Sequence, residues 1–289
     1  MSCTSQKKYS GNAAVIENKK VAEDTFYLSM KIEEYTGALS SVSAGQFVML
    51  RLPNRCDPLL GRPLAIYRCK KIDDWTQLEV IYLVVGKGTK LLSEVKTGDI
   101  LEITAPLGNP FNIVLNVHYI LVAGGIGQTP FLQLAETLGK NTRCTLLYGA
   151  KSKNRFALVE DFEKTGIEVL LATDDGSAGH CGTAVDLIRQ VIKPNEPAHL
   201  LCCGPKPMLR AAFEVAKELG IPCDVSLESP MACGLGICFG CVVPVKGKDG
   251  SIDYQRICET GPAFDAYSLV WDSFQASSSA VSFSSGSSS

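Results

Sequence analysis

Four cysteines in the C-terminal part of the chain have the spacing of a metal-cluster site: Cys233, Cys238, Cys241 and Cys258. Three cysteines spaced C-x4-C-x2-C with a distant fourth are typical of plant-type [2Fe–2S] clusters, which are held by four thiolates. Structural zinc is the alternative, because C-x-x-C also occurs in zinc sites, but those usually pair two such units and the second pair is split here. Three glycines would bring backbone N–H groups near the sulfurs: Gly234, Gly236 and Gly240. The spacing favours an iron–sulfur cluster.

Two turns that follow apolar strands are suited to the phosphates of a dinucleotide. Gly124-Gly-Ile-Gly-Gln-Thr-Pro130 follows the apolar run Val117–Ala123, and Cys203-Gly-Pro205 follows a strand over Leu200–Cys202. Glycines let the backbone approach a pyrophosphate, and a helix N-terminus offers unpaired N–H donors. A tight turn without a ligand is the alternative, because the full G-x-G-x-x-G fingerprint and its later acidic residue are missing. The predicted nucleotide-binding residues are Gly124, Gly125, Gly127, Cys203, Gly204 and Pro205.

A third anion site is predicted in the first part of the chain. Arg62 begins a strand, where its guanidinium can clamp a diphosphate through two hydrogen bonds. Gly86-Lys-Gly-Thr89 opens a short helix and offers a second set of N–H donors. The alternatives are a solvated arginine and a hairpin turn. Together the two features indicate a seat for a dinucleotide.

The elements that position these residues fall into two kinds. Short strands separated by turn residues predict an antiparallel barrel over residues 12–104. From residue 117 onward, apolar strands alternate with helical segments, which predicts a parallel sheet with helical crossovers. The predicted fold class is therefore a β barrel plus an α/β domain, followed by a small C-terminal cluster domain. Predicted boundaries are 1–112, 113–228 and 229–270, with a disordered serine-rich tail at 271–289.

Composition excludes several classes of partner. The chain has 28 basic and 30 acidic residues among 289, so no charge excess points to nucleic acid or an anionic membrane. No apolar run approaches the ~18–20 residues that cross a bilayer, and the N-terminus lacks a signal-peptide pattern. Twelve cysteines without an export signal indicate a reducing compartment. We expect a cytoplasmic protein with no nucleic-acid or membrane partner.

The order of these motifs resembles the ferredoxin–NADP reductase superfamily. Within it, Glu228–Cys241 and Arg256–Phe264 resemble the electron-transfer subunits of class 1B dihydroorotate dehydrogenases. The resemblance implies a flavin-binding barrel, a nicotinamide-binding domain and a [2Fe–2S] domain. It also implies that FAD contacts three segments: Arg62, Pro63, Leu64 and Ala65; Ile81, Tyr82 and Leu83; and Gly88 and Thr89. The family usually has serine where this chain has Ala65, so that hydroxyl cannot tune the flavin here.

The resemblance further implies a function for the whole chain. An FMN-containing catalytic subunit would oxidise dihydroorotate in pyrimidine biosynthesis, in a heterotetramer with two copies of each subunit. Electrons would then pass through the [2Fe–2S] cluster and FAD of this chain to NAD+, with no catalytic side chain required here. Length agrees, because a (β/α)8 barrel for dihydroorotate needs ~250 residues and the chain has no room for one. The alternatives are a free-standing NAD(P)H-dependent reductase that feeds an oxygenase, and a non-enzymatic module stabilised by zinc.

Coenzyme choice depends on one loop. Ser152, Lys153 and Arg155 follow the strand Cys144–Tyr148, near where positive charge can recognise the 2′-phosphate of NADP. A solvated basic loop is the alternative and agrees better with the family, so NAD is the predicted coenzyme.

Overall fold

The computed structural model describes residues 7–33, 37–138, 142–193, 195–247 and 249–275. Its first part is a closed antiparallel barrel with strand order β1-β2-β5-β4-β3-β6. The six strands are β1 (Tyr9–Ala22), β2 (Thr25–Ile32), β3 (Phe47–Arg51), β4 (Arg62–Ile72), β5 (Trp75–Leu83) and β6 (Ile100–Leu107). One helix, α1 (Lys87–Ser93), lies between β5 and β6.

Alternating side chains build the barrel interior. Leu28 and Met30 on β2 and Leu78 and Val80 on β5 are fully buried and belong to one apolar cluster. Because side chains alternate across a strand, every second residue points inward. Closure of the barrel leaves none of its six strands with an unpaired edge.

The second part is a seven-stranded sheet of order β10-β9-β8-β7-β11-β12-β15. Its strands are β7 (His118–Gly124), β8 (Cys144–Ala150), β9 (Glu168–Thr173), β10 (His180–Cys181), β11 (Ala198–Cys203), β12 (Cys223–Ser226) and β15 (Ala263–Asp265). All neighbours are parallel except β12 and β15. Its helices are α2 (Phe131–Leu138), α3 (Val159–Thr165), α4 (Ile188–Val191) and α5 (Lys206–Leu219).

Both faces of this sheet are covered. On β7, Ile120 and Val122 pack into one apolar cluster, whereas Tyr119 and Leu121 pack into another. The second cluster contains Tyr67 of the barrel, so one face of the sheet packs on the barrel side. Burial on both faces explains the uninterrupted apolar run in the sequence.

Polar contacts fix the barrel against the sheet. The Tyr67 hydroxyl donates to the Asp161 carboxylate on α3 at 3.1 Å, and Arg68 donates to Glu136 on α2 at 2.9 Å. A third contact joins Gln133 on α2 to the carbonyl of Val42 at 2.9 Å. These three hydrogen bonds hold the barrel against helices α2 and α3 of the sheet domain.

The last part begins with residues 229–241, which carry Cys233, Cys238 and Cys241 and are called the cysteine loop below. A hairpin follows this loop. The hairpin pairs β13 (Val242–Lys246) with β14 (Ile252–Arg256), and α6 (Ile257–Thr260) follows directly. Asn109 at the end of the barrel makes three hydrogen bonds to this part: its backbone N–H donates to the Gly261 carbonyl at 2.6 Å, and its side chain donates to the carbonyls of Glu259 at 3.0 Å and Thr260 at 3.1 Å. The cysteine loop is thus attached to the barrel and, through β15, to the sheet.

The predicted fold class is confirmed, and the differences are local. The sequence predicted neither α3 nor β15, because both are short and only their tertiary contacts select them. Residues 271–275, which the sequence assigns to the disordered tail, form a 3-10 turn in which Trp271 stacks on Phe213 at 5.3 Å between ring centroids. The rest of that tail lies outside the described residues. In the described part of the chain, no helix is long and apolar enough to cross a membrane.

Candidate functional site

A cavity of about 470 Å³ lies between the barrel and the sheet. Nine of the predicted cofactor-binding residues line it: Arg62, Pro63, Leu64, Ala65, Ile81, Tyr82, Leu83, Thr89 and Cys203. Its volume is in the range of small-molecule sites, and its wall is mainly apolar with few polar groups, as such sites usually are. The structure therefore brings together segments that are separated by up to 141 residues in the sequence, from Arg62 to Cys203.

Arg62 is held at the edge of this cavity by backbone groups. Its Nη1 donates to the carbonyls of Leu60 at 2.7 Å and Gly61 at 3.0 Å. A Cβ atom on Gly88 would overlap the guanidinium, so glycine at position 88 is what lets the arginine lie on that backbone. This arrangement explains why Gly88 does not itself line the cavity. A guanidinium fixed in this way is preorganised to hold a diphosphate.

The hydroxyls on the barrel wall already have protein partners. Tyr82 donates to Asn18 Oδ1 at 2.9 Å, and burial raises the pKa of its phenol. Thr89 accepts from the N–H groups of Val85 and Gly86 at 3.0 and 3.2 Å, which caps α1. These two side chains therefore shape the wall, which leaves Arg62 as the charged group of the barrel side. The cavity fits a dinucleotide cofactor that carries a diphosphate and a flat ring.

The two predicted nucleotide turns lie beside the cavity and pack on each other. A Cβ on Gly124 would lie 2.6 Å from Met208 Sδ and 2.8 Å from Pro205 Cδ, and one on Gly127 would overlap the Cys203 carbonyl. Contact between the turns therefore explains Gly124 and Gly127 without a ligand. Gly125 differs, because its φ is +55° and nothing lies within 4 Å of its Cβ position. Of the predicted residues, Gly125 leaves the most room for an approaching nucleotide.

Three protic groups meet on the sheet side of the cavity, and the sequence singled out only one of them. Burial, and next the nearby Glu228 carboxylate, raise the pKa of the Cys203 thiol, while a hydrogen bond with Ser226 acts in the opposite direction. Burial also raises the pKa of Glu228, whose side chain reaches solvent through the cavity it lines. The sequence marks Glu228 only as the first residue of the segment that resembles the family, and it marks Ser226 only by its place at the carboxyl end of a parallel strand.

Three of the four predicted cluster cysteines lie in the loop before β13, the fourth, Cys258, lies on α6, and the four form two pairs. The thiols of Cys233 and Cys238 are neighbours, and so are those of Cys241 and Cys258, whose backbone N–H lies 3.5 Å from Cys241 Sγ. Backbone N–H groups point at the sulfurs: that of Leu235 lies 3.3 Å from Cys233 Sγ, and that of Gly236 lies 3.1 Å from Cys258 Sγ. The second contact matches the role expected of Gly236. Such N–H groups tune the potential of a bound cluster.

The thiol acidities differ between the two pairs. Burial opposes ionisation of Cys233, but N–H groups of Leu235, Ile237 and Cys238 outweigh it and lower the pKa of this thiol to about 6. Burial and the hydrogen bond with Cys241 raise the pKa of Cys258 to about 12. Thiolates are the ligand form, and a bound cation would favour that form at all four positions.

This arrangement fits a two-iron cluster. A [2Fe–2S] cluster has two irons and four cysteine ligands, so two cysteine pairs match one pair per iron. A structural zinc ion instead needs four ligands around one point. Among the described residues, no three His, Cys, Asp or Glu side chains are grouped to hold a single metal ion. The cysteine loop is joined to the cavity, because Met231, two residues before Cys233, lines the cavity wall.

Carboxylates of the barrel neutralise part of the positive charge of the basic loop that was expected to influence coenzyme choice. Arg155 donates to Glu23 of the barrel at 2.8 Å and lies 3.7 Å from Asp24. Lys153 is exposed, and its backbone N–H donates to Ser177 Oγ at 2.8 Å. Arg155 therefore holds the barrel and the sheet together, whereas Lys153, like Lys151 just before it, faces solvent.

We expect Lys153→Glu to lower kcat/KM for NADPH up to about fivefold and that for NADH less than twofold, because an exposed ion pair contributes ~0.2–1 kcal/mol. Steady-state reduction of a dye by each coenzyme measures the two values. Lys193→Glu, an exposed lysine ahead of β11, is the matched control. Equal effects of Lys153→Glu on both coenzymes would show that this loop does not contact the 2′-phosphate.

Three family models match consecutive parts of the chain. Residues 12–111 match an oxidoreductase FAD-binding domain, and residues 121–214 match an oxidoreductase NAD-binding domain. Residues 228–270 match the iron-sulfur cluster binding domain of dihydroorotate dehydrogenase B. The last match supports iron–sulfur over zinc for the cysteine loop.

Whole-chain comparisons agree with these models. The chain is 35% identical over 260 residues to the electron transfer subunit of dihydroorotate dehydrogenase B (NAD(+)) from Caldanaerobacter subterraneus subsp. tengcongensis, covering 90% of this chain and 98% of that one. The subunit of the same name from Clostridium acetobutylicum is 37% identical over 257 residues, covering 89% and 95%. Among solved structures, an NADH-dependent reduced ferredoxin-NADP oxidoreductase superposes with a TM-score of 0.78 at 29% identity, covering 91% of each chain.

Proposed function

The chain belongs to the family of electron-transfer subunits of NAD+-dependent dihydroorotate dehydrogenase B, and on that premise we propose that it carries electrons from dihydroorotate oxidation to NAD+. It is an oxidoreductase subunit of pyrimidine biosynthesis with FAD-binding, NAD-binding and iron–sulfur domains. We propose residues 1–112, 113–228 and 229–270 as the three functional units. The proposed FAD, NAD and cluster residues are those named from the sequence.

One observation carries this proposal: the cysteine loop and the cavity share a wall. Met231 and Pro262 line the cavity, and Cys233 and Cys258 lie two and four residues from them in sequence. Asn109 and the Gly261 carbonyl lock this wall to the end of the barrel. A cluster in the loop and a flavin in the cavity would thus be neighbours within one rigid unit.

Bound FAD accepts electrons one at a time and delivers them in pairs as hydride. The role proposed for the chain's own residues is to bind FAD and to orient its ring. Arg62 is proposed to hold the diphosphate, and the backbone of Pro63–Ala65 to line the ring. Cys203, Ser226 and Glu228 form the opposite wall, beside the turns proposed for NAD. Glu228 is solvent-exposed on this wall, and desolvation of its carboxyl group raises its pKa.

We propose that the partner is an FMN-containing catalytic subunit and that it docks over the cysteine loop. The loop exposes apolar side chains next to Cys238, which is itself exposed: Ile237 is 74% and Phe239 61% exposed. Exposed apolar side chains on both sides of a proposed cluster ligand suit a protein interface. We further propose that this chain and the catalytic subunit form a heterotetramer with two copies of each, and that the complex is cytoplasmic.

The test is a reconstituted assay. The chain loaded with FAD and cluster is mixed with its catalytic partner, dihydroorotate and NAD+, without oxygen. We expect orotate and NADH to form in equal amounts only when both subunits are present. If the loaded chain reduces dyes with NADH but no orotate forms, the proposal is wrong and a free-standing reductase is favoured.

A second candidate has one specific observation in its favour. The superposition on the ferredoxin-NADP oxidoreductase covers 91% of this chain at 29% identity. The same framework therefore also serves a protein with other redox partners. Ferredoxin-dependent reduction of NADP+ in place of orotate formation would support this second candidate.

A further inference from the structure

Met49 lies between the cysteine loop and the cavity, in a space that two glycines leave open. It is on β3 and is 8% exposed. A Cβ atom on Gly61 would lie 2.8 Å from Met49 Cγ and Sδ, and one on Gly234 would lie 2.7 Å from Met49 Cε. Both distances are shorter than close-packed carbon or sulfur atoms allow. Neither glycine can therefore carry a side chain while Met49 keeps its position.

The two glycines belong to the two candidate cofactor sites. Gly61 directly precedes Arg62, and Gly234 directly follows Cys233. The backbone of Met49 also pairs with that of Pro63, which lines the cavity. Met49 thus contacts a neighbour of the flavin seat on one side and a neighbour of a cluster ligand on the other.

Apolar packing continues from Met49 into the cysteine loop. Its side chain belongs to one apolar cluster with Met231, Cys241 and Cys258. The thioether is unbranched and polarizable, so it fills an irregular gap well. Leucine has a similar volume but no sulfur, whereas alanine would leave a cavity between the loop and the strand.

We propose that Met49 is a positioning residue that sets the separation between the [2Fe–2S] cluster and FAD, and so the rate of electron transfer between them. This proposal rests on the proposed function of the cavity and the loop. In the direction of that function, the cluster would be reduced twice by the partner and would pass on one electron each time, and the two electrons with one proton from water would reduce FAD. The pair then leaves as hydride to NAD+, which becomes NADH.

The experiment runs the transfer backwards in the FAD- and cluster-loaded full chain, with NADH as the only reductant and no oxygen. Stopped-flow absorbance separates reduction of FAD from the later reduction of the cluster, and electron paramagnetic resonance gives the line shape of the reduced cluster. Met49→Ala and Met49→Leu are compared with Met30→Ala, a fully buried methionine of the barrel interior. Because neither dihydroorotate nor the partner is needed, this test can fail independently of the proposed function.

We expect Met49→Ala to slow cluster reduction severalfold, because the rate of electron transfer falls exponentially with the distance between the cofactors, and to change the line shape. FAD reduction should stay within about twofold of wild type, Met49→Leu should restore most of the rate, and Met30→Ala should leave it unchanged. A wild-type rate of cluster reduction in Met49→Ala would overturn the proposal. If Met49→Ala cannot retain the cluster, Gly61→Ala replaces it, since the added Cβ pushes Met49 from the flavin side. Slower cluster reduction in Gly61→Ala supports the proposal, and a wild-type rate refutes it.

Discussion

Cys238→Ser is expected to remove the iron–sulfur cluster and to lower dihydroorotate-dependent NAD+ reduction by at least about 100-fold, the upper end of the cost of losing even an outer-shell partner of a metal. Cys238 is the proposed source of one thiolate of the first cysteine pair, and serine is a poor ligand for iron that prefers sulfur. FAD binding should persist, because Cys238 does not line the cavity. Iron content, visible absorption and NADH-dependent dye reduction measure the three properties.

The matched control for this variant is Cys56→Ser. Cys56 is also exposed but lies between β3 and β4, outside the cysteine loop. It should keep the cluster and the full activity with the partner. A Cys238→Ser protein that retained the absorption of an intact cluster would show that the ligand assignment is wrong.

Arg62→Ala is expected to weaken FAD binding about 10- to 100-fold, since hydrogen bonds to charged groups contribute about 1.5–3 kcal/mol. The guanidinium is already fixed by the Leu60 and Gly61 carbonyls, so little conformational entropy is lost when a diphosphate binds. Equilibrium titration of the apoprotein with FAD, followed by flavin fluorescence, measures the affinity.

Two further variants interpret the Arg62 result. Arg62→Lys should recover part of the affinity, because lysine keeps the charge but loses the planar pair of donors. Arg51→Ala, an exposed arginine at the end of β3, should bind FAD as the wild type does. Wild-type affinity in Arg62→Ala would mean that the diphosphate lies elsewhere.

Local patterns in the sequence were sufficient to predict the fold class and the position of the cysteine cluster. Short strands separated by turn residues predicted the barrel, and the apolar run Val117–Ala123 with the alternation of strands and helices after it predicted the parallel sheet. The cysteine spacing predicted the cluster loop, and the three matched family models support the cofactors. For Arg62 and its neighbours, the residues alone predicted only a seat for a dinucleotide, and the resemblance to a known family implied that this dinucleotide is FAD.

Contacts between distant segments were beyond reach of the sequence. Arg155 was considered as a phosphate reader, yet it pairs with Glu23, 132 residues away. The position of Met49 between Gly61 and Gly234 depends on the barrel, the cavity and the loop at once. The glycines Gly124 and Gly127 have a packing cause that no local pattern reveals. Such features arise only when the chain has folded.

The central claim is that electrons from dihydroorotate enter this chain through the cysteine loop. Its most direct test mixes the loaded chain with its catalytic partner and dihydroorotate, without NAD+ or oxygen, and freezes the mixture at successive times. Electron paramagnetic resonance should show the reduced [2Fe–2S] cluster within one turnover, and only when the partner is present. A cluster that stays oxidised while the partner's flavin is reduced would contradict the claim.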